Sequence, residues 1–222
     1  MGRPIRIEYP AALYHITSGG NERKKIFLED GDRVRFLKIL EDYHDRYGIL
    51  IHSYVLMDNH YHLTLETPRG NLLKVMHGIN SGYTGYFNRK YGRSGHLFQG
   101  RYRGILVEKD TYLLSLSRYV HLNPVRGRVV ERPEHYRWSS YLGYVGKGKE
   151  SEWVEYAWAL SQFGKNKKES KTEISGIYRG GFKGQRKDTI EKPSWSSHSW
   201  RRGVYRENQG DGKREATFGR DR

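Results

Sequence analysis

The chain has no cysteine, only six prolines and three methionines among 222 residues, and far fewer acids than bases, 25 Asp and Glu against 40 Lys and Arg. Without cysteine there are no disulfides, no thiolate nucleophile and no Cys-based zinc site, so any metal must be held by imidazole, carboxylate or amide groups. No stretch of about 18 consecutive apolar residues exists to span a bilayer. The opening MGRPIRIEYPAALYHITS also lacks the apolar segment of a signal peptide, so a cytoplasmic location with no membrane partner is expected. The shortage of acid leaves a formal charge of +15 and a pI near 9.8, which favours a polyanionic partner. Eighteen tyrosines interleaved with Arg and Lys add rings that can stack on unpaired bases while the cations follow phosphates.

Hydrophobic content of 36% is enough for one core of ordinary size plus an extension. LYHITS (13 to 18) alternates as a strand, and the basic loop GGNERKK follows it. Asp30 or Asp32 is placed to cap a helix that carries Val34, Phe36, Leu37, Ile39, Leu40 and Tyr43 and stops at Gly48. ILIHSYVLM (49 to 57) and HYHLTLET (60 to 67), separated by Asp58 and Asn59, predict a tight hairpin. A helix over 71–91, a strand over 100–108 and a helix over 110–122, ended by Asn-Pro, complete the series. Its first six elements match the split βαβ, ferredoxin-like α+β arrangement: an antiparallel sheet with helices on one face and the other left for a ligand.

Alternation along HYHLTLET puts His60, His62, Thr64 and Glu66 on one face and Tyr61, Leu63 and Leu65 on the other. Two imidazoles two residues apart on a strand are neighbours and can share one metal ion, although a solvated strand face shows the same pattern. In DTYLLSLSRYVHLNPVRG, Tyr119 and Asn123 are four residues apart and share a helix face. An amide oxygen there can complete a metal site while the phenol attacks a metal-polarised phosphoryl group. Taken alone, Tyr119 is better read as a core-lining tyrosine and Asn123 as a helix C-terminal residue before Pro124. Arg101, Arg103 and Arg118 lie near these elements, Arg126 and Arg128 follow them, and Arg23, Lys24 and Lys25 follow the first strand; all eight are candidates for phosphate contacts. The glycines of SGGNERKK form no nucleotide loop, since no Gly-x-x-x-x-Gly-Lys accompanies them.

The strings LYHITSGGNERKKIF, VLMDNHYHLTLET, HLFQGRYRGILVE and RYVHLNPVRGRVV, in this order from about residue 3 to 163, closely resemble the REP-associated tyrosine transposases. These are HUH single-strand DNA endonucleases related to the single-tyrosine insertion-sequence transposases. The resemblance implies that His60 and His62 are the HUH metal ligands and that Asn123 sits where the third ligand is supplied. It makes Tyr119 the nucleophile that forms a 5′-phosphotyrosine link and frees a 3′-hydroxyl. It further implies Mg²⁺ or Mn²⁺ as the metal, single-stranded or hairpin DNA as the partner, a nucleoid-associated setting and a possible homodimer. Two imidazoles by themselves point to Mn²⁺, Zn²⁺ or Ni²⁺, and Mn²⁺ satisfies both arguments.

Three rivals share parts of this pattern: a non-cleaving DNA-binding protein of the same fold, an RRM-like RNA-binding module, and a metal hydrolase that uses activated water. The first leaves the catalytic residue types unexplained, and the second has no use for two histidines on the open face. The nuclease domain is expected over 1–163. Residues 164–222 are rich in Gly, Ser, Arg and Lys with little apolar periodicity, and are expected as a disordered or poorly packed tail. Back-translation points to a reading-frame change as the source of the tail beyond about residue 170, which would then carry no selected function. Codons for ISGIYRGGFKG and WRRGVYRENQGDGKRE can be chosen so that another frame spells amphipathic, charged helix.

Overall fold

The structure, a computed structural model, describes residues 7–162 and 166–180. All of these lie in the compact unit formed by the first 191 residues; the second unit, 192–222, lies outside the described residues. Strand β1 (Ala12–Gly19) is followed by helix α1 (Asp30–Tyr47), hairpin strands β2 (Leu50–Met57) and β3 (His60–Thr67), helix α2 (Leu72–Lys90) and strand β4 (Arg103–Val107). The four strands form one sheet in the order β2-β3-β1-β4, with antiparallel neighbours throughout. This is the ferredoxin-like arrangement predicted from the pattern. Helix α3 (Lys109–His121) comes next, then the short helices α4 (Asn123–Arg126), α5 (Tyr141–Tyr144) and α6 (Ala157–Ser161), and finally α7 (Lys167–Gly180).

Alternation divides the sheet into two unlike faces. Tyr14 and Ile16 of β1 and Tyr61, Leu63 and Leu65 of β3 are buried in one core with Phe36, Ile39 and Leu40 of α1 and Val75, Met76, Ile79 and Tyr83 of α2. Burying each such aliphatic side chain stabilises the fold by roughly 1.5–3 kcal/mol before entropy is subtracted. The opposite face carries His15, His62, Thr64 and Glu66, all buried. It is less open than the sequence suggests, because α3 packs across β2 and β3 with Leu113, Leu116 and Val120 buried.

Local chemistry sets the element ends. Helix α1 is capped by Glu29 rather than by Asp30 or Asp32: the Asp32 carboxylate accepts the backbone N–H groups of Leu28 at 2.8 Å and Glu29 at 3.1 Å, closing a capping box. Gly48 ends it in the left-handed region (φ 64°), donating its N–H to the His44 carbonyl at 2.8 Å. Strand β2 carries a bulge between Ile51 and Ser53, which leaves His52 as the extra residue. Its Nε2 lies 3.0 Å from Glu66 Oε2, inside the sheet's polar face.

The expectation of an unpacked tail from residue 164 is corrected for Lys167–Gly180, which is helix. Ile174 and Tyr178, four residues apart and so on one face, are both buried. Residues 164, 165 and 181–222 of the expected tail lie outside the described residues. No helix among the described residues is long and apolar enough to cross a membrane.

Candidate active site

Strand β3 runs into the site directly from the Asp58-Asn59 turn, and its pleat sends His60 and His62 to the face opposite Tyr61. Tyr61 is fully buried and its hydroxyl donates to Asn80 Oδ1 at 2.6 Å, which locks the strand's register over α2. The His60 and His62 ring centres are 5.1 Å apart with planes at 79°. Each Nδ1 is engaged: that of His60 lies 2.7 Å from Asn59 Oδ1, and that of His62 lies 3.0 Å from Nε2 of His15 on β1. Neither Nε2 has a hydrogen bond among the described residues. Burial lowers the pKa of His60. Burial first, and then His15, His60 and the Arg126 guanidinium, holds that of His62 well below its ordinary value. Burial, with Arg103 adding to it, pushes His15 down to about 3. At neutral pH the cluster is therefore uncharged and rich in nitrogen lone pairs.

Helix α3 carries Tyr119 to this cluster. Its half-buried ring meets His15 edge-on at 5.7 Å and His62 at 5.9 Å, centre to centre. One turn later Asn123, the first residue of α4, donates its Nδ2 to the carbonyls of Tyr119 at 2.9 Å and Val120 at 3.3 Å. Two carbonyl acceptors fix the orientation of this amide, so its oxygen points away from the helix backbone. Arg126 sits over the Tyr119 ring, 4.5 Å from its centre, in a cation–π contact. The tyrosine, both histidines of the His-x-His and the asparagine's helix are thus brought together within one chain.

Residues 9–123, just over half of the chain, match the family described as "Transposase IS200 like". The chain belongs to the IS200-like transposase family. Among solved structures, this transposase is similar to a REP-associated tyrosine transposase bound to a REP hairpin, at 15% identity and a TM-score of 0.56 over 70% of this chain and 98% of that one. That likeness shows a shared fold. Looser likenesses are to a candidate transposase from Deinococcus radiodurans (18% identity, TM-score 0.38, 54% of this chain and 94% of that one) and to a tRNA(His) guanylyltransferase from Saccharomyces cerevisiae (12% identity, TM-score 0.40, 78% and 75%). No curated protein matches the chain by sequence.

The eight basic residues singled out as phosphate contacts occupy four different settings in this transposase. Arg103 pairs in register with Thr17 on the site's face of the sheet, close enough to act on His15, and Arg126 stacks on Tyr119. Arg101 and Arg128 are exposed outside the sheet. In the loop after β1, Lys24 pairs with Glu22 at 2.7 Å and Lys25 with Asp58 at 2.9 Å. The carbonyl of Arg23 accepts the amide of Asn59, so this loop braces the turn that leads into His60. Arg118 is not at the histidines: it lines a cavity of about 250 Å³ with Leu114, Ser117, Tyr144, Ile174 and Tyr178.

Among the described residues no group of three or more His, Cys, Asp or Glu side chains converges as a metal cage. The His60 and His62 pair offers two neutral imidazoles on one strand face, which suits a divalent ion that leaves positions for oxygen ligands or water. His15 and Asn59 were not anticipated from the sequence. The alternation of LYHITS places His15 on the same face as Leu13 and Thr17, but only the pairing of β1 with β3, which sets Thr17 opposite His62, brings His15 diagonally to that ring.

Proposed function

We propose that this transposase is a metal-dependent endonuclease and strand transferase acting on single-stranded DNA near hairpins, with Tyr119 as nucleophile and His60, His62 and Asn123 as metal ligands. The observation that carries this reading is the placement of the Tyr119 ring 5.9 Å from that of His62, beside a His pair with both Nδ1 atoms engaged. A bound Mg²⁺ or Mn²⁺ supplies Lewis-acid polarisation of the scissile phosphate. The chain's own residues do the rest. The phenol oxygen of Tyr119 forms a bond to phosphorus as the bond to the 3′ oxygen of the preceding nucleotide breaks. The phenol proton passes to water, and the departing oxygen takes a proton to become a 3′-hydroxyl. The resulting 5′-phosphotyrosine keeps the energy of the ester, so rejoining needs no nucleotide cofactor.

Arg126 over the Tyr119 ring and Arg103 beside His15 supply positive charge for the phosphates on either side of the cut. A hairpin as substrate is supported by the similar fold of the REP-associated tyrosine transposase bound to a REP hairpin. Tyr119 and its histidines lie together within one chain, which supports a tyrosine supplied in cis. The reading is tested by cleavage of labelled single strands that carry a hairpin. Wild-type protein is expected to cut with Mn²⁺ and to stop with EDTA, and His60→Ala or His62→Ala should bring metal-dependent cleavage to background. Cleavage by either alanine variant at the wild-type rate overturns the ligand assignment.

A further inference from the structure

His60 and His62 share an arrangement that the metal assignment alone does not require. The amide of Asn59 donates Nδ2 to the Arg23 carbonyl, 3.3 Å away, which fixes Oδ1 as the atom facing His60 Nδ1 at 2.7 Å. An amide oxygen only accepts, so the proton between them belongs to His60 Nδ1. Neutral His60 then carries a lone pair on Nε2. Two residues on, His62 Nδ1 meets His15 Nε2 at 3.0 Å in nearly parallel ring planes, 7° apart. Ring centres 5.2 Å apart with so short a nitrogen contact place the rings edge to edge, the geometry of an in-plane N–H···N bond.

Two tautomer pairs satisfy that contact, and the surroundings choose between them. If His15 donated, His62 would hold its proton on Nε2, on a ring beside Tyr119 that the Arg126 guanidinium is close enough to act on. If His62 donates, a lone pair takes that place, which a guanidinium favours. His15 itself is 3% exposed and held by its strand between β3 and β4, so its Nε2 stays in place opposite His62 Nδ1.

We propose that His15 is a positioning residue that accepts the Nδ1 proton of His62, as Asn59 accepts that of His60, so that both imidazoles present Nε2 lone pairs to one ion before it binds. The inference rests on the reading of His60 and His62 as ligands. Its physical basis is general: a partner on the far nitrogen of a ligating imidazole sets its tautomer, restricts ring rotation and raises its basicity.

Side-chain ¹⁵N–¹H correlation spectra of the metal-free, full-length protein at pH 7.5 read the tautomers directly. Nδ1–H at both His60 and His62 is the expected result, and Nε2–H at His62 overturns the proposal without any metal being involved. Mn²⁺ titration followed by electron paramagnetic resonance supplies the second arm. His15→Phe should weaken binding by about 10- to 100-fold, while His15→Gln, whose terminal oxygen can accept the same proton, should recover most of that loss. Thermal melts of both variants exclude simple unfolding. Equal Mn²⁺ affinity in wild type and His15→Phe overturns the proposal, and so does a loss that His15→Gln leaves uncorrected. Wild-type protein that binds no Mn²⁺ overturns the ligand reading beneath it, a failure told apart from the wrong tautomer by the metal-free spectra.

Discussion

Replacing Tyr178 by Phe removes one hydroxyl from the contact between α7 and the helix that carries Tyr119. That hydroxyl lies 2.8 Å from His121 Nδ1 and 3.2 Å from Ser117 Oγ, and all three groups are buried. His121 Nε2 is 2.7 Å from Ser140 Oγ, so one imidazole ties α3 to α7 and to the residue that precedes α5. Leaving a buried donor or acceptor unpaired costs about 1–3 kcal/mol. Here Ser117 Oγ and His121 Nδ1 are already 3.5 Å apart and can partly satisfy each other. The expected cost therefore falls in the lower part of that range, about 1–2 kcal/mol. For a chain of this size that corresponds to a drop in Tm of roughly 2–8 °C. Differential scanning fluorimetry measures it. Tyr178→Ala, which also opens a cavity, should cost more, about 3–5 kcal/mol. Ending the chain after Gln162 removes α7 altogether and should lower both stability and cleavage, whereas ending it after Gly180 keeps the contact. If Tyr178→Phe melts with the wild type and truncation after Gln162 leaves cleavage intact, α7 does not hold α3 and the network has been misread.

Stability should also fall in mild acid. Burial depresses His121, and likewise His15, from 6.5 to about 3, so below pH 6.5 the unfolded chain takes up protons that the folded chain refuses. Each histidine then contributes stability that is present above about pH 6.5 and is lost toward pH 3, by up to about 1.4 kcal/mol per unit of pH. Urea unfolding at pH 7 and pH 5 tests this, and equal stability at the two values contradicts it. Affinity for single-stranded DNA should drop with salt by a slope of about −0.7 per phosphate neutralised, and a salt-independent affinity excludes the basic surface as the binding surface. Arg126→Ala and Arg103→Ala should each flatten that slope by about one contact, roughly 0.7, in fluorescence anisotropy titrations. Arg118→Ala, whose side chain lines the cavity beneath α7, should leave the slope unchanged.

The sheet and the histidine motif were legible because their signals are local. Alternation in HYHLTLET separates His60 and His62 from Tyr61, and Asp58-Asn59 marks the hairpin turn, so β2, β3 and the face of the two imidazoles follow from short-range rules. The helix of Tyr119 was legible for the same reason, with Asn123 opening the short helix that follows it. What was not legible depends on contacts between distant segments. The role of Asp32 as the partner in a capping box, not the cap itself, is joined to its burial against Lys90, the last residue of α2, and Tyr91 just after it. His52 looks like one more strand residue until the bulge turns it toward Glu66. His15 acquires its neighbour only from the pairing of β1 with β3. The helix α7 was missed because two residues, Ile174 and Tyr178, carry its buried face amid Lys, Ser and Glu, too few to stand out as periodicity. A reading-frame change at Ile174 would be expected to leave those contacts unmade. The codons of the gene decide that point directly.

The central claim is that Tyr119 is the group that becomes joined to DNA. Wild-type protein and Tyr119→Phe are incubated with a hairpin-bearing single strand and Mn²⁺, denatured, digested and searched by mass spectrometry for a nucleotide-modified peptide. The account predicts a 5′-phosphotyrosine adduct on the peptide containing Tyr119 in the wild type. It predicts no adduct and no cleavage with Tyr119→Phe, whose DNA binding stays near that of the wild type because only one oxygen is lost. Cleavage by Tyr119→Phe at the wild-type rate, or an adduct mapped to another tyrosine, contradicts it.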